Sequence, residues 1–331
     1  MTTFFRSGFV TAILPRGAIG LTLVSLLSGC HLEGILDPGG SVGSQEMSLI
    51  TTSTIAMLIV VIPVIILTGL FVWRYRASNT SATYAPNWSH STAIEIAIWS
   101  IPALIVLFLA IITWTSTHKL DPYRPLASNL KPVEVEAVSM DWKWLFIYPD
   151  LGIASVNELA IPTGTPVNFH ITSDTVMNSF FIPRLGTQIY SMAGMITQLH
   201  LIADKAGEYD GMSANFSGPG FSDMNFQTLA MSQSDFDQWV QKVRAAPTQL
   251  NAAAYKQLAV PSTATQVGYY SSVTPAMFAA VVNEHGGMQM QAPAKPVAPA
   301  AMSMSMQMSP NMPMNMPMTP SAPSNTPSTE H

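Results

Sequence analysis

The sequence predicts a membrane protein in which two transmembrane helices form a hairpin, followed by an all-β sandwich, short C-terminal helices and a disordered methionine- and proline-rich tail. Of its 331 residues, 48% are hydrophobic and only 10% are charged, whereas soluble domains carry about 25% charged residues. Two long stretches contain no charged side chain, and a later stretch alternates apolar and polar residues. These patterns predict spanning helices first and strands second. The net charge of −5, with no run of Lys or Arg, gives no indication of nucleic-acid binding.

The N-terminus has the features of a lipoprotein signal peptide over residues 1–29. Arg6 and Arg16 supply positive charge, and the apolar stretch after Arg16 is too short to span a bilayer. It ends in Leu27-Ser28-Gly29-Cys30, which resembles the lipobox of bacterial lipoproteins. That resemblance implies a covalent lipid on Cys30; the alternative is an ordinary signal peptide with an incidental cysteine. Because Cys30 is the only cysteine, no intrachain disulfide and no cysteine-based zinc or iron–sulfur site can form.

The hairpin is predicted within residues 30–119, with helices at about 48–73 and 94–117. Residues 47–73 and 96–117 contain no charged side chain, and roughly 20 residues suffice to cross the hydrocarbon core.

Charge asymmetry predicts the orientation of the hairpin. The loop between the helices carries Arg74, Arg76 and His90 and no acid, whereas residues 30–46 carry acids and neither Lys nor Arg. The positive-inside rule places the loop in the cytoplasm. The N-terminus and everything after Lys119 then face the periplasm of a bacterial inner membrane.

The periplasmic part is predicted to be an antiparallel sandwich or barrel over residues 131–231. Val167, Phe169 and Ile171 alternate with Asn168 and His170, for example, and turn-forming sequences separate several such runs. Histidines on these strands, His170 and His200 among them, are expected to be solvent-facing or hydrogen-bonded locally rather than metal ligands.

Residues 232–287 are predicted to be helical. Ser232 and Asp235 match a capping box, and a second helix is expected between Thr274-Pro275 and Gly286-Gly287. Whether these helices pack on the sandwich or on a partner stays open. Four apolar residues follow the capping box at helical spacing: Phe236, Trp239, Val240 and Val243.

Residues 288–331 form a tail rich in Met, Pro, Ser and Ala, which cannot bury a core and should be disordered. Its repeated Met-x-Met sequences could capture Cu(I) through soft thioethers. The alternative is a low-complexity tail without a ligand.

Residues 209–224 resemble the copper loop of the cytochrome c oxidase subunit II family, which reads roughly G-x-C-x-E-x-C-G-x-x-H-x-x-M. The two glycines and the methionine are kept here as Gly211, Gly218 and Met224. The other ligands of the family are replaced. Serines stand at the two cysteine positions, Asn215 at the glutamate, Phe221 at the second histidine and Asn178 at the upstream first histidine; the serines are Ser213 and Ser217.

The family needs two thiolates to bridge its copper ions and imidazoles to complete the shell. Because serine hydroxyls stay protonated near neutral pH, we expect neither a metal nor any other cofactor in this chain. A cupredoxin-like sandwich without copper ligands, together with a lipobox and two helices, resembles subunit II of bacterial cytochrome bo-type ubiquinol oxidases.

That resemblance implies a non-catalytic subunit of a proton-translocating enzyme that oxidises ubiquinol and reduces O₂ to water. It places the haems and copper in subunit I, and it implies subunit I, the other oxidase subunits and membrane lipids as partners. The resemblance extends to residues 92–102, where the family's glutamate lies at the mouth of a proton-uptake channel. It assigns that role to Glu95, whose alternative is an interfacial acid that only snorkels to the surface.

Other functions stay open at this stage. They are a copper-binding cytochrome c oxidase subunit II, a free-standing copper-chaperone lipoprotein that uses the methionine tail, and a quinol oxidase with another haem type.

Overall fold

The computed structural model describes residues 34–83, 85–286 and 288–289. The predicted signal peptide with Cys30, and all of the predicted tail except residues 288 and 289, lie outside these residues. Helix α1 spans Ser41–Arg74 and α2 spans Thr92–Lys119. At 1.5 Å per residue they are about 51 and 42 Å long. Both are long and apolar enough to cross a membrane, which agrees with the two predicted apolar helices.

Helix α1 begins seven residues before the predicted boundary at residue 48, because its first turn packs on the sandwich. Val42 is buried in the sandwich core, and the Gly43 N–H donates to the Leu185 carbonyl oxygen over 3.0 Å. A side chain at Gly40 would collide with the Ile202 carbonyl oxygen. The first turn of α1 is therefore attached to the β domain.

The β domain consists of two sheets. Its strands are β1 Val133–Met140, β2 Lys143–Tyr148, β3 Ile153–Val156, β4 Glu158–Pro162, β5 Val167–Ser173, β6 Asn178–Phe181, β7 Ile189–Ser191, β8 Met195–Leu201, β9 Gly207–Ser213, β10 Asn225–Met231, β11 Gly268–Tyr270 and β12 Met288–Gln289. One sheet has the order β11-β3-β2-β1-β5-β8-β12, and the other has the order β4-β10-β9-β6-β7. Strand β12 extends the described backbone two residues into the segment predicted to be a tail.

The prediction of an antiparallel sandwich was incomplete. Most neighbours are antiparallel, but β1 pairs with β5, β4 with β10 and β8 with β12 in parallel. Parallel neighbours need a crossover between them. Between β1 and β5 the chain supplies it, since β2 and β3 extend the first sheet and β4 joins the second.

Aromatic rings fill the space between the sheets. Phe180 and Phe226 stack with centroids 5.2 Å apart, and Trp144 meets Phe180 edge-on at 5.3 Å. Phe169 and Ile171 are buried, whereas the alternate residues of the same strand, Asn168 and His170, are only half-buried. The predicted period of two is therefore confirmed on β5.

The outer face of the seven-stranded sheet is partly covered as well. Val138, Met140 and Leu145 are buried there in a second apolar cluster with Phe278 and Val282 from the C-terminal region. The C-terminal helices therefore pack on the sandwich of their own chain. This contact is why apolar residues interrupt the alternation on β1.

Three helices follow the sandwich: α3 (Gln233–Arg244), α4 (Ala252–Leu258) and α5 (Met277–Glu284). The predicted cap of α3 is confirmed, since the Ser232 hydroxyl accepts the Asp235 N–H over 3.2 Å. All four apolar residues predicted for its inner face are buried: Phe236, Trp239, Val240 and Val243.

The remaining helices differ from the prediction in detail. Helix α5 begins after Ala276, two residues beyond Thr274-Pro275, and Gly286 follows its end at φ +94°. Helix α4 lies within the predicted helical region but had not been identified as a separate helix. Asn251 caps it by accepting the Ala253 and Ala254 N–H groups over 3.0 Å each.

Candidate functional site

Three of the positions that resemble copper ligands meet at one end of the sandwich. Asn178 starts β6, Ser213 ends β9, and Met224 follows a turn of 3₁₀ helix at Phe221–Asp223. Asn178, Ser213 and Met224 are all buried. The Asn178 side-chain amide donates to the Met224 sulfur over 3.3 Å, and the Ser213 N–H donates to the Met224 carbonyl oxygen over 3.1 Å. Amide, thioether and backbone therefore hold the strand ends together.

The Ser213 hydroxyl is used as a hydrogen-bond acceptor. The Trp144 indole N–H donates to it over 3.2 Å, and both residues are buried. A buried indole N–H without a partner would cost about 1–3 kcal/mol. Ser213 thus accepts the hydrogen bond that the buried indole N–H of Trp144 requires.

The remaining positions lie in the loop and do not join this set directly. Asn215 donates its side-chain N–H to the Met177 carbonyl oxygen over 3.3 Å. Phe221 packs edge-on against Phe216, with centroids 5.7 Å apart. Among the described residues, the buried Ser217 hydroxyl has no hydrogen-bond partner.

Trp142 packs against the loop that carries Ser217 and Gly220. Its indole N–H donates to the Ser217 carbonyl oxygen over 3.1 Å, and its ring lies where a side chain at Gly220 would be. Gly218 adopts φ +115°, a conformation that favours glycine. The sequence did not distinguish this loop contact from the core role of Trp144, because both tryptophans belong to one aromatic run.

Within the described part of the chain, no group of three or more His, Cys, Asp or Glu side chains could hold a metal ion. His200 is satisfied locally, with Nδ1 2.8 Å from the Pro122 carbonyl oxygen. His170 Nε2 lies 3.3 Å from a Glu134 carboxylate oxygen. Neither histidine forms part of the loop site.

Glu95 lies in the first turn of α2 and is half exposed in this isolated chain. One of its carboxylate oxygens lies 2.7 Å from Nδ1 of His90, whose Nε2 lies 3.2 Å from the Thr92 hydroxyl. The structure thus identifies His90 as a hydrogen-bonding partner of Glu95. The sequence indicated His90 only as part of the charge of the loop between the helices.

A second unusual carboxyl group lies on β1. Burial raises the pKa of Glu136 to about 7. Across the sheet it pairs with Ile147 on β2 and His170 on β5, and Glu134 lies two residues before it on the same strand. No sequence motif singled out Glu136.

Two family models match the chain. Cytochrome c oxidase subunit II, periplasmic domain, matches residues 152–231, and the COX aromatic-rich motif matches residues 244–287. Cytochrome bo(3) ubiquinol oxidase subunit 2 of Pseudomonas putida is 57% identical over 80% of this chain and 83% of its own length. Ubiquinol oxidase subunit 2 of Acetobacter aceti is 57% identical over 82% of this chain and 89% of its own.

The chain belongs to the ubiquinol oxidase subunit 2 branch of the cytochrome c oxidase subunit II family. The aromatic-rich motif covers α4, β11 and α5, so the similarity to oxidase subunits continues beyond the sandwich into the C-terminal region. Among solved structures, the periplasmic domain of cytochrome oxidase subunit II of Bradyrhizobium japonicum is similar to 36% of this chain and 96% of its own, with 21% identity and a TM-score of 0.33.

Proposed function

We propose that the chain is a non-catalytic subunit of a proton-translocating ubiquinol oxidase and that its sandwich carries no copper. Electrons would pass from ubiquinol to the oxygen-reducing subunit without crossing this domain. The observation that carries the proposal is the hydrogen-bonded set of Asn178, Ser213 and Met224, three positions that correspond to copper ligands in the sequence motif that this loop resembles.

The chemistry of these groups supports the loss of copper. A dinuclear centre requires thiolate bridges, and the only cysteine is Cys30, far from the loop in sequence. The Ser213 hydroxyl accepts from Trp144, and the Asn178 amide donates to Met224. Binding a metal would break both bonds and offer it only weak ligands in return.

The proposed topology has both helices spanning the inner membrane, with the sandwich in the periplasm and residues 75–91 in the cytoplasm. The uncharged stretches of α1 and α2 and the basic loop between them support it. A lipid on Cys30 would add a second attachment to the outer leaflet.

The proposed role of the chain is to cover the periplasmic face of a partner subunit that holds the haems and copper, and to bring Glu95 to a proton-uptake path. His90 supports this role for Glu95, because its imidazole lies 2.7 Å from the carboxylate, within reach for passing a proton to or from it. The hydroxyl of Thr92 extends the same hydrogen-bonded chain.

The experiment is to purify the tagged full-length chain from membranes with whatever subunits accompany it. We expect O₂ uptake with ubiquinol as donor, none with reduced cytochrome c, a haem-bearing partner, and no spectroscopic signal of a dinuclear copper centre. Such a signal, or electron transfer from cytochrome c, would contradict the copper-free assignment. Purification without any haem protein would contradict the oxidase assignment.

A further inference from the structure

A cavity of about 340 Å³ lies where the two helices meet the β domain. Its walls come from the start of α1, the end of α2, the segment after α2, and β8. The lining includes Val42, Lys119, Leu120, Arg124, Leu126 and Leu199. It is separate from the loop site, with which it shares no residue.

The polar side of this cavity is positively charged. Lys119 and Arg124 line it, and Asp121 is its only lining carboxylate. The Asp121 carboxylate accepts the Tyr123 N–H over 3.0 Å. Neither cation is within salt-bridge distance of a carboxylate among the residues described. With Lys119 and Arg124 at +1 each and Asp121 at −1, the lining carries one net positive charge.

The position of the cavity follows from the proposed topology, on which this inference rests. The uncharged stretch of α2 ends at Thr117, two residues before Lys119. Lys and Arg at the end of a spanning helix lie at the level of the lipid phosphates. Apolar side chains also line the cavity, with Leu120 and Leu126 half-buried. Cationic and apolar lining residues together at this depth match the boundary between a head group and its acyl chains.

We propose that this cavity binds the head group of an anionic glycerophospholipid of the phosphatidylglycerol class. Its phosphodiester lies between Lys119 and Arg124, and its glycerol backbone lies against Leu120 and Leu126. One phosphodiester charge of −1 neutralises the net +1 of the lining. A bound lipid would fill the joint between the hairpin and the sandwich.

The test uses the full-length chain extracted from membranes together with its co-purifying subunits. Native mass spectrometry would count adducts after addition of phosphatidylglycerol, phosphatidylcholine or inorganic phosphate. We expect one phosphatidylglycerol in preference to phosphatidylcholine. The double variant Lys119→Gln, Arg124→Gln should weaken its binding by about ten-fold or more, since each basic residue near an anionic lipid surface contributes roughly five-fold.

The matched control is the double variant Arg244→Gln, Lys256→Gln, which removes the same charge from helices that do not line the cavity. It should bind the lipid as the wild type does. Equal loss in both double variants, no preference over phosphatidylcholine, or equal occupation by inorganic phosphate would each overturn the proposal. Failure of the proposed function is distinguishable, because the chain would then lack a haem-bearing partner or ubiquinol oxidase activity whether or not it bound the lipid.

Discussion

The acid–base properties of a carboxyl group depend on its surroundings, and the surroundings of Glu95 and Glu136 differ. Glu95 stands half exposed beside His90 at one end of α2, whereas Glu136 lies half-buried on a sheet. The first is proposed to exchange protons with its surroundings. The pKa of the second is raised to about 7, because burial disfavours the charged form.

For Glu95 we expect the substitution Glu95→Gln to lower ubiquinol-driven O₂ uptake, because the amide cannot take up and release a proton. The expected loss is on the order of 10-fold or more, with a smaller loss for His90→Asn. Oxygen-electrode assays of the purified complex at several pH values would measure it. Glu208→Gln, exposed on β9, is the control. Full activity and proton release in Glu95→Gln would contradict the assigned role.

For Glu136 the expected effect is on stability against pH. Its pKa is about 7 in the folded protein and near 4.5 without burial. The folded state therefore binds more protons between these values, and its stability falls as pH rises from about 4.5 to 7. Glu136→Gln removes this dependence, so the variant should exceed the wild type in stability above pH 7 and match it near pH 4.

Chemical unfolding of the detergent-solubilised chain at several pH values would give the difference between Glu136→Gln and wild type. His170 and Glu134 lie beside Glu136 and are unchanged in the variant, so the difference isolates Glu136. Glu134→Gln is the control. A difference that stays constant from pH 4 to 8 would disprove the raised pKa.

Helix α3 attaches to the edge of the sandwich through one polar and one apolar set of contacts. Its Trp239 donates an indole N–H to the Glu158 carboxylate over 2.7 Å, and Tyr269 donates its hydroxyl to the same oxygen over 2.7 Å. Phe236 and Trp239 belong to the same buried apolar cluster as the core residues of the sandwich. The helix is therefore part of the folded domain rather than an appendage.

For this helix we expect Ser232→Ala to lower the free energy of unfolding by about 1 kcal/mol, because the Asp235 N–H loses its cap. The neighbouring substitution Ser234→Ala should have a much smaller effect, since the Ser234 hydroxyl caps no backbone group. Urea unfolding followed by tryptophan fluorescence would compare the two. Equal effects of the two substitutions would show that the cap does not stabilise α3.

The period of the hydrophobic pattern was enough to predict the type of most elements, but not how they cover one another. On β5 the alternation identified Phe169 and Ile171 as core residues. On β1 it could not show that Val138 would be buried by residues such as Phe278, which lie 140 positions later. Periodicity describes one element, whereas the burial of an outer face depends on contacts between distant ones.

For the whole molecule, attachment to the membrane is proposed to be redundant. Cys30→Ala should abolish incorporation of labelled palmitate but leave the chain in the membrane, because two spanning helices insert far more stably than a single acyl chain. The label on the purified chain would measure lipid incorporation, and fractionation after alkaline washing would measure membrane retention. Release of the variant into the soluble fraction would contradict the two-span topology.

The sequence by itself determined the order of the molecule: two apolar helices, a β domain, C-terminal helices, and a loop in which serine, asparagine and phenylalanine stand at ligand positions. These features are local, since they depend on the composition and spacing of neighbouring residues. Only the tertiary structure decided that Asn178 bonds Met224, that Ser213 satisfies Trp144, that His90 accompanies Glu95, and that a charged cavity lies at the joint. Each of these depends on side-chain geometry, and most of them join residues far apart in the chain, which no residue pattern specifies.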